Sequence, residues 1–241
     1  MPAWGGGGSM IISHKHKFIF IKTRKTSGTS MEISLSQFCG YDDIITPITY
    51  EDELVRQDLG GRLPQNYGDP REEQYRDHIR ARKMNPRRVR HMGRYYNHIP
   101  AVEVRKHIGD DIWNEYFKFS IERHPYDTVV SHIHFHARKK NHWNFETELK
   151  RTLKKGYFVS HPVYSEGEKP IIDFVLNYEQ LHRDLETLSD KLGFDVAAHY
   201  PRTKHKHRSD RRPARELLSP VARQEIYERC HVAFDSMGFE R

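Results

Sequence analysis

The sequence predicts an α/β protein with a central, mostly parallel sheet and helices on both faces. Short apolar runs of β-preferring residues recur at Phe18 to Ile21, Phe117 to Ile121 and Ile171 to Leu176. Stretches with helical periodicity separate them. The 241 residues suffice for one such domain.

Taken in order, Met1 to Ser9 (MPAWGGGGS) reads as an expression linker, so one domain is expected over residues 10–241. Phe18 to Ile21 is the first strand. Lys22 to Ser30 (KTRKTSGTS) is small, polar and basic, which is loop chemistry. Met31, Leu35 and Phe38 then fall at helical spacing, and Gly40 offers a stop. Thr29 with Glu32 fits a capping box, which places the helix start at this loop. Residues 60–97 are rich in Arg, Gly, Pro, Asn and Tyr, with a helix expected over Glu72 to Met84. They read either as a solvated surface excursion or as a basic flap facing a substrate.

Ala101 to Ile108 and Asp111 to Phe117 are short helices by pattern. The second strand ends at Glu122-Arg123-His124-Pro125, where Pro125 suits a first helical position. Val129, Val130 and Ile133 supply the stripe that faces the core. Further helices are expected over Phe145 to Lys155, Glu179 to Leu192 and Pro220 to Met237. Pro201 to Arg212 is a basic loop.

Only 36% of residues are hydrophobic and the mean hydropathy is −0.86, so the surface must be strongly polar. Lys plus Arg number 40 against 33 Asp plus Glu, a net charge of +7, which favours anionic partners such as phosphorylated cofactors, nucleic acids or acidic glycans. No nucleic-acid recognition motif appears, so net charge alone speaks for that class. Cys39 and Cys230 are too few for a disulfide framework and suit a reducing compartment. No apolar run after Met10 is long enough for a signal-peptide core or a membrane span. A cytoplasmic protein without a membrane partner is the expectation.

A loop between a strand and a helix aims main-chain N–H groups at whatever lies before the helix, and those donors favour an anion. Here Gly28 permits close approach, Thr26, Thr29 and Ser30 add hydroxyls, and Lys25 adds a charge. The loop is not a Walker A sequence, because the Lys precedes the Gly and no Gly-Lys-Ser/Thr follows. Phe18 to Ser30 resembles the 5′-phosphosulfate loop of carbohydrate-type sulfotransferases, commonly Pro-Lys-Thr-Ala-Gly-Thr-Ser. Lys25, Thr26, Gly28, Thr29 and Ser30 match it, with Arg24 in place of Pro and Ser27 in place of Ala.

Phe117 to Ser131 (FKFSIERHPYDTVVS) resembles the same family's 3′-phosphate segment. That resemblance implies that Arg123 and Ser131 bind the 3′-phosphate; a guanidinium offers a planar fork to phosphate oxygens. His124 stands where the family has Asn. Tyr96 to Phe117, Asp173 to Phe194 and Leu217 to Phe239 extend the likeness over nearly the whole chain after Met10. The resemblance implies a nucleotide-kinase-like three-layer fold and the donor 3′-phosphoadenosine 5′-phosphosulfate. The donor site would comprise Lys25, Thr26, Ser27, Gly28, Thr29, Ser30, Arg123 and Ser131. The family's late basic loop corresponds to Thr203 to Ser209, where Lys204 and Arg208 are candidates for the 3′-phosphate or members of a solvated charge run.

In this reading Lys25 supplies charge to the leaving phosphate and His98, at the position of the family's His, is the base for the acceptor hydroxyl. His91 and His124 are its competitors. The acceptor is a carbohydrate or a smaller alcohol. His132, His134 and His136 lack a Cys or carboxylate pattern to complete a zinc site, and the mechanism requires no metal. The rival functions are a P-loop-like nucleotide kinase and a nonenzymatic basic module for nucleic acid or acidic glycan.

Overall fold

Ile11–Ser13 (β1) and Phe18–Phe20 (β2) pair antiparallel, with Ile11 opposite Phe20 and Ser13 opposite Phe18. The short link 14–17 leaves no room for a crossover, so the two strands must run in opposite directions. In the computed structural model, which describes residues 10–83, 93–96, 98–138, 140–201 and 212–241, this hairpin founds a five-stranded sheet. Ile44–Ile45 (β3) pairs antiparallel on the outer side of β1. Phe117–Glu122 (β4) pairs parallel with β2, and Phe174–Asn177 (β7) pairs parallel with β4. The order is β3-β1-β2-β4-β7. Ser165–Glu166 (β5) and Lys169–Pro170 (β6) form a separate small hairpin.

The sheet is therefore mixed, where the alternation of strands and helices predicts a mostly parallel one. Four strands point one way and β1 alone opposes them. Its three residues, all buried, are too short a pattern for periodicity to resolve.

The helices are Gly28–Ser36 (α1), Tyr50–Asp58 (α2), Glu72–Arg80 (α3), Ala101–Ile108 (α4), Asp110–Glu115 (α5), Pro125–Ala137 (α6), Phe145–Lys155 (α7), Leu181–Leu192 (α8), Ala214–Leu217 (α9) and Pro220–Met237 (α10). On one face of the sheet, Met31 and Leu35 of α1 and Leu185 and Leu188 of α8 pack on Phe18, Phe20, Phe119 and Ile121. On the other, Val104 of α4 and Trp113 of α5 pack with Ile12, Ile19 and Ile21. A third cluster joins α6, α7, α9 and α10 around Val129, Ile133, Leu149 and Ile226. Pro125 occupies the first turn of α6, where its missing N–H costs nothing.

Two local expectations differ from the structure. Helix α1 begins at Gly28 with Ser27 as N-cap, and Thr29 and Glu32 form no capping box. Glu32 is fully buried and pairs instead with Lys22 Nζ at 2.7 Å, since an ion pair satisfies a buried carboxylate better than one main-chain donor could. The described parts of 60–97 are solvated only in part, with Glu73, Asp77 and Arg80 among the exposed residues. Tyr67, Tyr75 and Tyr95 are buried, and a Cβ on Gly93 would lie 2.2 Å from the Tyr67 carbonyl oxygen. Here the aromatic rings do the packing, without aliphatic periodicity to announce it. Among the described residues, no helix is long and apolar enough to cross a membrane.

Candidate functional site

The carboxyl ends of β2, β4 and β7 lie side by side, so the segments that leave them meet. Such strand ends are where open α/β sheets bind ligands. From β2 comes the loop 22–27, from β4 comes Arg123, and from β7 comes Tyr178. Arg123 Nη1 donates to the main-chain carbonyl of Lys25 at 3.1 Å. The Arg123 guanidinium lies over the Tyr178 ring, 4.4 Å from its centroid, within reach of a cation–π contact.

The loop is sharply curled. Lys25 and Ser27 both have left-handed backbones (φ 63° and 62°) on either side of Thr26. Residues of alternating hand turn successive N–H groups toward one concavity, the geometry that receives anionic oxygens. His98 is also left-handed (φ 54°), so three of the six positive-φ non-glycine residues among those described belong to this site. Backbone strain of this kind gathers where the surrounding structure enforces a function.

Several contacts lock the loop. Thr23 Oγ1 donates to the Ile121 carbonyl and lies 3.0 Å from Thr26 Oγ1, which ties the loop to β4. Tyr200 Oη donates to the Ser27 carbonyl at 3.1 Å. Lys22 Nζ donates to Thr29 Oγ1 at 3.1 Å as well as to Glu32. A Cβ on Gly28 would sit 2.6 Å from Lys22 Cγ, so only glycine fits beneath that side chain. Thr26 and Ser30 are buried, whereas Lys25, Ser27 and Thr29 are partly exposed.

Lys25 reaches across to α6, where its Nζ lies 3.9 Å from the Phe135 ring centroid. His132, one turn before Phe135, is buried on this helix, and its Nε2 has no hydrogen-bond partner. The next turn brings His136, its ring stacked on that of His132 with centroids 5.9 Å apart. Arg24 lies over the Tyr157 ring at 4.9 Å, which places the segment after α7 at the same site.

His98 donates through Nδ1 to the Lys22 carbonyl at 2.8 Å, which leaves Nε2 as the basic nitrogen. Burial, then the charges of Arg24 and Lys22, hold its pKa well below the ordinary imidazole value. Burial and then Lys25 do the same to His132. Both shifts favour the neutral ring. Behind Arg123, Glu122 accepts from the Arg123 N–H at 3.1 Å and from Tyr164 Oη at 2.8 Å. Burial pushes this carboxyl up to about 7.

The sequence-predicted residues divide accordingly. Lys25, Thr26, Ser27, Gly28, Thr29, Ser30 and Arg123 come together, and His98 joins them through Lys22. Ser131 lies half-buried on α6 beside His132. Lys204, Arg208 and the alternative base His91 lie outside the described residues. His124 has both ring nitrogens engaged: Nδ1 accepts from the Tyr126 N–H at 3.3 Å and Nε2 donates to the Glu240 carbonyl at 2.9 Å. It caps helix α6. Sequence reasoning missed Lys22, His132, Tyr157 and Tyr200. For His132 a signal existed in its spacing from Phe135 and His136, but nothing local reveals that this face meets Lys25. Among the described residues, no group of three or more His, Cys, Asp or Glu side chains is placed to hold a metal ion.

No protein-family model matches the chain, and no solved structure matches it at a significant level. A protein of Archaeoglobus fulgidus, described only as uncharacterized, is 28% identical over 101 residues, covering 39% of this chain and 82% of that protein.

Proposed function

We propose that the protein is a sulfotransferase that moves a sulfuryl group from 3′-phosphoadenosine 5′-phosphosulfate to an acceptor hydroxyl, most simply that of a carbohydrate. The observation that carries this reading is the junction of Arg123 with the Lys25 carbonyl. It sets two segments with anion-binding chemistry, far apart in sequence, against each other at adjacent parallel strand ends. A nucleotide with phosphates at both its 5′ and 3′ positions needs two such segments.

The roles follow from position. The curled loop and the start of α1 offer N–H donors to the 5′ side. Arg123, held against the Tyr178 ring, offers its fork to the 3′-phosphate, with Ser131 on α6 as a second donor. Lys25 meets the charge that develops on the leaving phosphate oxygen. His98 Nε2 takes the acceptor's proton as the acceptor oxygen bonds to sulfur and the bond from sulfur to the bridging oxygen breaks.

Calorimetry with adenosine 3′,5′-bisphosphate and with ATP tests this reading. The bisphosphate is expected to bind and to raise the melting temperature, because it engages only the folded state. ATP, whose 3′-hydroxyl gives Arg123 no phosphate, should do much less. Equal stabilisation by the two nucleotides overturns the assignment, as does the failure of any hydroxyl acceptor in a broad panel to become sulfated.

A further inference from the structure

The ammonium of Lys22 is spent inside the protein rather than on a ligand. Its side chain is buried and runs along the first turn of α1, so close that a Cβ on Gly28 would lie 2.6 Å from its Cγ and 2.9 Å from its Cε. The Nζ holds contacts of different kinds. The ion pair with fully buried Glu32, at 2.7 Å, keeps the amine charged away from water. A second contact runs from Nζ to Thr29 Oγ1 at 3.1 Å. An ammonium has hydrogens to give and no lone pair, so Thr29 is the acceptor here. A hydroxyl that accepts on one lone pair still has its single O–H to place. Among the described residues no protein acceptor takes that hydrogen, and Thr29 is partly exposed.

We propose that Lys22, anchored by Glu32, is a positioning residue of the anion site: it commits the Thr29 hydroxyl to donate its hydrogen to the 5′-phosphate of the bound nucleotide. The inference rests on the sulfotransferase reading for the identity of that phosphate. Orientation comes first, since the ammonium occupies the acceptor side of Thr29 Oγ1 and the O–H must turn elsewhere. Polarisation adds to it, because a hydroxyl that accepts from a cation is a stronger donor in its turn. Glu32 balances the charge, so Lys22 orders the hydroxyl without adding net charge to the site. Gly28 leaves open the space through which Lys22 reaches Thr29. The main-chain carbonyl of Lys22 meanwhile accepts from His98 Nδ1, so one residue orders a group on the donor side and orients the base.

A double-mutant cycle on affinity for adenosine 3′,5′-bisphosphate tests this role. Thr29→Val removes the hydroxyl at nearly constant volume and is expected to weaken binding about tenfold to a hundredfold, the scale of a hydrogen bond to a charged group. Thr29→Ser, which keeps the hydroxyl, should recover most of that loss. Lys22→Met/Glu32→Met removes the pair together, so that no charge is left buried alone, and should lose a large part of the same affinity. In the Thr29→Val background the paired change should weaken binding almost no further, because the hydroxyl it orders is gone. A mere loss of loop shape would weaken both backgrounds alike. If the apolar pair does not fold, Lys22→Gln/Glu32→Gln enters the same cycle, with a shorter side chain that stops short of Thr29 Oγ1. Additive losses, or unchanged affinity in Thr29→Val, overturn the positioning role, while binding by the unaltered protein leaves the sulfotransferase reading intact. If the unaltered protein does not bind the bisphosphate, that reading falls and the role with it.

Discussion

Arg123 braces the loop it works beside: its Nη1 donates to the Lys25 carbonyl at 3.1 Å while its guanidinium lies against the Tyr178 ring. One side chain thus links the ends of three strands. On the proposed function, loss of Arg123 removes both a phosphate partner and a brace on the opposing loop.

Arg123→Ala is accordingly expected to weaken binding of adenosine 3′,5′-bisphosphate by about 2 kcal/mol or more, the scale for removing one member of a desolvated charged pair. Arg123→Lys should recover only part, since an ammonium cannot reproduce the planar fork or its stacking. Titration calorimetry on folded variants measures both. Unchanged affinity in Arg123→Ala would move the 3′ site elsewhere.

Gly28→Ala probes the loop sterically. The added Cβ would meet Lys22 Cγ at 2.6 Å, and Lys22 cannot swing away without breaking its ion pair with buried Glu32. A loss of about 1–3 kcal/mol in stability is expected, with weaker nucleotide binding. Denaturant melts check the first and calorimetry the second. A variant as stable as the parent would show that Lys22 is free to move.

His98→Ala should leave donor binding nearly intact while turnover falls about a hundredfold or more. Because the folded imidazole titrates well below 6.5, the acidic limb of the pH–rate profile should also lie below that value. Stability has the matching sign. As pH falls through 6.5 the unfolded imidazole gains a proton that the folded one refuses, so folding weakens. Thermal melts of parent and variant across this range would differ in slope. Equal slopes would mean that His98 is not buried as described.

Glu122 titrates in the opposite sense. Its carboxyl is raised from 4.5 to about 7 by burial, so between those values the folded protein holds a proton that the unfolded chain has released. Folding is therefore increasingly penalised as pH rises through that window, and the penalty levels off above 7. Glu122→Gln removes the titration. Its melting temperature relative to the parent should climb from pH 4.5 to 7 and then stay constant. A flat difference would show that Glu122 is ionised throughout.

Much of this architecture was legible in the chain. Phe117 to Ile121 stands out as a strand because every residue prefers extended backbone or is tolerated there, and Pro125 marks the start of the next helix by the chemistry of its ring. The loop from Lys22 to Ser30 is equally visible, since its small polar residues can neither pack a core nor hold helical periodicity. The Glu32 position misleads for a physical reason. Its spacing from Thr29 suits a cap, but a buried lysine ten residues upstream competes for the same carboxylate and wins. Strand β1 escaped because three buried residues carry no period.

Residue identity and local spacing by themselves determined most of the segments that become strands and helices, and picked out two of the turns between them as candidates to meet anions. Only the tertiary structure decided that Arg123 grips the Lys25 carbonyl and that His124 is spent as a cap. It alone set His98, His132 and Tyr157 around the loop, from three separate parts of the chain. Local backbone preference depends on neighbours a few residues away and is written in sequence order. Convergence at a site depends on how the strands are ordered and which helix faces pack against them, and no single segment encodes that arrangement.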